Sequence, residues 1–252
     1  MVRGDTALLI VEGGPRRLSA AIAGGVAFAL YTACSRFVPA LHPVRLDIIA
    51  SMLVALPLLA VLLCGLSPLR EVGHRLLLVS LVALVLAVLL TYIGWLPGAN
   101  VAKAVFGASL GLWLAAQIDS LPVIAVVAVV AALADSFSVL TAAGPTNTLL
   151  TQAPQVVEYF AVALAWFGYS YRDAYSAIGT SDLIFFSLFL GAALRFRLRV
   201  TATVVAMTLS FLATVVLALW ARALPALPLL SAAFLITNAD LFWRQRRART
   251  RT

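Results

Sequence analysis

Eight stretches of this chain are apolar for about 20 residues each. That is the length a helix needs to cross ~30 Å of hydrocarbon at about 1.5 Å per residue. They lie near residues 18–38, 46–66, 75–95, 99–117, 120–141, 178–194, 199–220 and 224–242. With 63% of residues apolar and 11% charged, against roughly a quarter charged in a soluble domain, the chain cannot cover its apolar surface by folding alone. The expected fold is an all-α, polytopic transmembrane helix bundle of about eight spans. A ninth apolar stretch, Val156 to Tyr169, is short for a span and carries Glu158, which reads as an interfacial or re-entrant helix.

The net charge of +8 would point a soluble chain toward nucleic acid. Here the arginines sit in short loops and at the two ends, the pattern of the positive-inside rule, so no nucleic-acid partner is expected. With a cytoplasmic N-terminus, eight spans put Arg3, Arg16, Arg17, Arg70, Arg75, Arg195, Arg197, Arg199, Arg244, Arg246, Arg247, Arg249 and Arg251 inside. Arg36, Arg45, Lys103, Arg172 and Arg222 fall outside, a bias of thirteen to five. The expectation is a multi-pass protein of the cell membrane with both termini cytoplasmic. Arg16-Arg17 before an apolar run ending at Ala33-Cys34 is superficially an export or lipoprotein signal, but the run is span-length and more spans follow, so it reads as a retained first helix. Cys34 and Cys64 lie in apolar runs and match neither a disulfide framework nor a zinc site; they read as packing residues.

Inside this apolar sequence, Asp135 and Asp182 stand out. A carboxyl group in hydrocarbon costs several kcal/mol, ~3 on insertion scales, and is kept mainly where function needs it. Asp135 sits near the end of the fifth span and Asp182 near the start of the sixth. Parity therefore places both some 6 to 9 Å below the same membrane face, joined by an outer loop from Ala142 to Ala177. Two carboxyls close together share a proton, so one is ionised while the other is neutral. That is the requirement for general acid/base hydrolysis by an aspartic protease, a mechanism needing no metal or other cofactor. Paired acids in a bundle equally suit a proton-coupled transporter, and a non-catalytic membrane protein that binds helices is the other alternative.

Three motifs extend the pattern. Ala134-Asp135 is followed by Ser136-Phe137-Ser138-Val139-Leu140 and Gly144-Pro145; Gly179-Thr180-Ser181-Asp182 opens the next span; and Pro225-Ala226-Leu227-Pro228 precedes the last. In order, spacing and membrane side these resemble the presenilins and signal peptide peptidases, the GxGD-type intramembrane aspartyl proteases, over roughly residues 120–242, as a divergent member. The resemblance implies Asp135 and Asp182 as catalytic acids, with Gly179, Thr180, Ser181, Pro225, Ala226, Leu227 and Pro228 supporting the site or holding substrate. It implies a four-span scaffold half over residues 1–117 and a presenilin-like catalytic half over 118–252, acting on transmembrane or signal-peptide-like helices. Ala134 stands where the family usually has tyrosine, Ser181 where it has the second glycine, and there is one span fewer than the family's usual nine. The orientation resembles signal peptide peptidase rather than presenilin.

The Pro225-to-Pro228 segment also has a reading of its own. Two prolines remove backbone donors and disfavour helix, and irregular backbone at membrane depth persists only where buried in protein or lining a wet cavity. Other signals are weaker. Gly107-Ala108-Ser109-Leu110-Gly111 fits the Gly-x-Ser-x-Gly pattern of serine hydrolases, but it lies in an apolar helix, and His42 and His74 are near span ends. It reads as a small-xxx-small helix contact. Two histidines are too few for a zinc protease. Lys103 is expected to snorkel to the interface. Asp240 is spaced to pair with Arg244, and Asp47, Asp119 and Asp173 fall at or between span ends, where solvation is cheap.

Overall fold

The computed structural model describes residues 14–141, 143–169, 174–220 and 224–243. Arg3, Arg172, Asp173, Arg222, Arg244 and the arginines beyond it lie outside the described residues. The chain is mostly helical. The helices are α1 (Gly14–Cys34), α2 (Val44–Gly65), α3 (Arg75–Tyr92), α4 (Leu96–Gln117), α5 (Leu121–Leu140), α6 (Pro145–Gln152), α7 (Pro154–Phe160), α8 (Thr180–Arg195), α9 (Val200–Ala218) and α10 (Leu227–Thr237). Among the described residues six helices, α1 to α5 and α9, are long and apolar enough to cross a membrane. The other two expected spans are helical but shorter, 16 residues in α8 and 11 in α10. Buried Asn238 interrupts the last one: its amide donates to Thr203 Oγ1 and to the Phe234 carbonyl, both at 2.9 Å, and its oxygen accepts the Arg199 N–H at 3.1 Å. Helix resumes over residues 239–243.

The segment expected to be an interfacial helix is different. Only α7 is helical; residues Ala161–Ala165 form strand β1, which pairs antiparallel with β2 (Tyr175–Gly179), Ala161 opposite Gly179 and Ala165 opposite Tyr175. All five β1 residues are buried. The all-helical expectation thus lacks one element, a β-hairpin whose second strand runs without a break into α8.

Helix α4 is the pillar of the bundle. A Cβ built on Gly111 would lie 2.2 Å from the Ile184 carbonyl oxygen and 2.8 Å from Ser187 Cβ, and one on Gly107 would lie 2.9 Å from Leu183 Cβ. Gly191 of α8 in turn abuts Ala115 of α4. These contacts rise together along both helices, so α4 and α8 run parallel with their backbones in near contact. Lipid tails give no hydrophobic drive for helices to associate, and such close packing supplies dispersion contact instead. The small-xxx-small reading of Gly107 and Gly111 describes this contact. Stacked rings join the second half: Phe189 on Phe234 at 4.6 Å between centroids and Phe186 on Phe211 at 5.9 Å, each worth about 0.5 to 1.5 kcal/mol beyond burial.

Candidate active site

The site forms where three interruptions of regular helix meet. Helix α5 ends at Leu140, and the chain turns tightly at Gly144, where a Cβ would come within 2.2 Å of the Ser138 carbonyl oxygen. Ser138 Oγ then accepts the Thr146 N–H at 3.1 Å, fixing the start of α6. This places Asp135, one and a half turns before the end of α5, beside the nonhelical stretch before α10. There the Leu227 N–H donates to Asp135 Oδ2 at 3.0 Å. Pro228 sits in the first turn of α10, where a missing N–H leaves nothing unsatisfied. The Pro-Ala-Leu-Pro segment therefore presents one backbone donor, that of Leu227, to the Asp135 carboxyl.

Asp182 reaches the same place from β2. As the third residue of α8, it folds back so that Oδ2 accepts the Gly179 N–H at 3.1 Å, an acidic residue satisfying a donor at a helix N-terminus. Thr180 does not face the cavity; its hydroxyl donates to the Phe160 carbonyl at 2.9 Å, locking the start of α8 to the end of α7. Each acid thus has one oxygen tied to backbone at a break in secondary structure.

Asp135 and Asp182 line one cavity of about 620 Å³, together with Gly179, Ser181, Pro225 and Ala226. Asp182 is 8% exposed, Asp135 is half-buried and Ser181 is exposed into the cavity. Leu227 and Pro228 contribute through backbone and turn geometry. Strand β2 lines the cavity along its full length, and among the described residues no third strand lies beside it.

Several expectations are corrected. Lys103 does not snorkel: it is 1% exposed, and its ammonium donates to the Glu158 and Ala161 carbonyls, the latter at 2.9 Å. Those acceptors, at the end of α7 and the start of β1, lack ladder partners, and a cation there replaces water. Asp47 is fully buried rather than solvated, one oxygen accepting the Leu41 N–H at 2.9 Å. Asp240 pairs with Arg199 at 2.8 Å; Arg244 lies outside the described residues. Asp119 is exposed as expected and meets Arg195 at 2.8 Å. Cys34 is exposed on the helix surface rather than packed, and neither it nor Cys64 forms a disulfide.

Ser109 is fully buried, with its hydroxyl bonded back to the Val105 carbonyl of its own helix at 2.7 Å, so it is no nucleophile. Among the described residues no group of three or more His, Cys, Asp or Glu side chains could hold a metal ion. The residues that sequence reasoning overlooked are Asn100 and Tyr31, whose polar groups meet β1; Asn100, an amide in an apolar helix, was the available signal. No protein-family model and no curated protein matches the chain.

Proposed function

We propose that this protein is an intramembrane aspartyl protease of the presenilin and signal peptide peptidase type, hydrolysing peptide bonds of transmembrane or signal-peptide-like helices with Asp135 and Asp182 as its acid/base pair. The observation that carries the reading is the one cavity that both aspartates line, each held by a backbone N–H, beside a strand edge that can accept extended peptide. One acid, ionised, takes a proton from water as its oxygen adds to the scissile carbonyl carbon, and the neutral acid protonates the carbonyl oxygen. Collapse of the resulting diol breaks the C–N bond; the nitrogen receives a proton and leaves as amine, and the acids return to their starting state. No metal or cofactor takes part.

A substrate helix keeps its carbonyls bonded within itself, so it must unwind before attack. An unwound segment can replace those bonds by adding to the free edge of β2. The topology that goes with this reading has eight spans, α8 and α10 included, with both termini cytoplasmic and the site near the outer face of the cell membrane. The parallel run of α4 and α8 supports that parity, since spans four and six cross in the same direction only if the hairpin region does not cross. Reconstitution with a labelled signal-peptide-like substrate tests the function: the natural protein should release two fragments and Asp182→Ala none. Solute-dependent proton flux without cleavage would instead favour a transporter.

A further inference from the structure

A two-stranded sheet has two outer edges, and here they are treated differently. Backbone groups alternate sides along a strand, so on β1 those of Ala161, Ala163 and Ala165 face one way and those of Val162 and Leu164 the other. The first set is engaged by side chains. The Asn100 amide donates to the Ala163 carbonyl at 2.7 Å and accepts the Ala163 N–H at 3.0 Å, a two-point contact like that between paired strands. Lys103 donates to the Ala161 carbonyl at 2.9 Å, and the Tyr31 hydroxyl to the Ala165 carbonyl at 2.7 Å. Val162 and Leu164 are therefore the residues that pair with β2, opposite Ile178 and Ser176. The outward groups of β2 are then those of Tyr175, Ala177 and Gly179, and the Gly179 N–H is already held by Asp182.

The fit follows from helix and strand repeats. Asn100 and Lys103 are three residues apart, about 4.5 Å along α4, whereas their targets Ala163 and Ala161 are about 6.6 Å apart along β1. The flexible lysine stem spans the difference. Continued at helical spacing, the same face of α4 presents Gly107 and Gly111, against which α8 packs. One helix face thus holds both the hairpin and the helix that carries Asp182.

We propose that Asn100, Lys103 and Tyr31 are positioning residues that occupy the outer edge of β1 as a third strand would, so that β2 alone accepts substrate and its register to Asp182 is fixed. This rests on the proteolytic reading above. If the three residues only satisfied buried polar groups, their loss would lower stability and leave the kinetics of folded protein unchanged. If they position the hairpin, their loss also lowers kcat and blurs the bond chosen, because a displacement of ~1 Å costs as much as ~10²-fold.

The test uses full-length protein in vesicles, a labelled signal-peptide-like substrate, and mass spectrometry of the fragments. Rates are normalised to the folded fraction. Asn100→Leu should lower kcat about 10- to 100-fold with KM changed less than about threefold, and spread cleavage over neighbouring bonds. Asn100→Asp keeps the acceptor for the Ala163 N–H and should fall between. Should Asn100→Leu not fold, Tyr31→Phe, which deletes one oxygen, decides with an expected loss of about threefold and a second cleaved bond. Variants with natural kcat and a single natural cleavage site overturn the proposal while Asp182-dependent cleavage leaves the protease reading standing; no cleavage by the natural protein overturns both.

Discussion

Replacing Gly179 with alanine should separate activity from stability. A Cβ at this position would lie 3.1 Å from both Asp182 Oδ2 and Ser181 Oγ, roughly 0.3 to 0.5 Å inside a comfortable contact. The backbone there has φ −60° and ψ 141°, a region open to every residue, so no conformational strain arises. Restricting the unfolded chain favours the variant by about 0.4 to 1 kcal/mol, which offsets the repulsion. The net change should stay within about 1 kcal/mol, or about 2 to 4 °C in Tm for a chain of this size. The clash is relieved most easily by moving the Asp182 carboxyl a few tenths of an ångström. Because near-attack geometry is steep, kcat should fall about tenfold with little change in KM. Initial cleavage rates and thermal unfolding measured on one preparation check both halves. Full activity at unchanged Tm would refute the argument that the Asp182 position is set by the space at Gly179; a loss of activity matched by a loss of folded protein would refute it as well.

Gly111→Ala drives a methyl into the Ile184 carbonyl oxygen, 2.2 Å away; α4 and α8 must part, and unfolding measurements should show a loss of about 1 to 3 kcal/mol. In a background without Cys34 and Cys64, Thr151→Cys should react with an impermeant thiol reagent added to intact cells and Arg75→Cys should not, both sites being exposed on opposite sides of the proposed membrane. Two acids sharing one proton are idle when both are protonated and when both are ionised, so kcat/KM should be bell-shaped in pH; a flat profile across the carboxyl range contradicts the shared proton.

The parts of this fold legible in the sequence are those set by the bilayer. A run of about 20 apolar residues has few alternatives to a helix; each of the eight expected spans contains a helix, and among the described residues six of these are long and apolar enough to cross a membrane. The acids were legible for the same reason, because a carboxylate in such a run demands an explanation. The hairpin was not. Ala161–Ala165 is an unbroken apolar run without the alternation that marks a half-buried strand, because it is covered on both faces. Lys103 departs from the expectation because a lysine near a helix end ordinarily finds water; the carbonyls that draw it inward belong to α7 and β1, 55 and 58 residues later. The short α10 has a local cause in Asn238, whose three partners lie on α9, before it and on its own helix.

The central claim is tested most directly by amide replacement of the two acids. Asp135→Asn and Asp182→Asn each keep an oxygen that can accept the Leu227 or Gly179 N–H, so the backbone breaks that form the cavity should persist and Tm should move by only a few degrees. An amide cannot exchange protons with water or carbonyl, so each variant alone should lose cleavage of a reconstituted signal-peptide-like substrate by about 10³-fold or more. Natural rates in either folded variant would contradict the account and leave both carboxyls as helix-end caps.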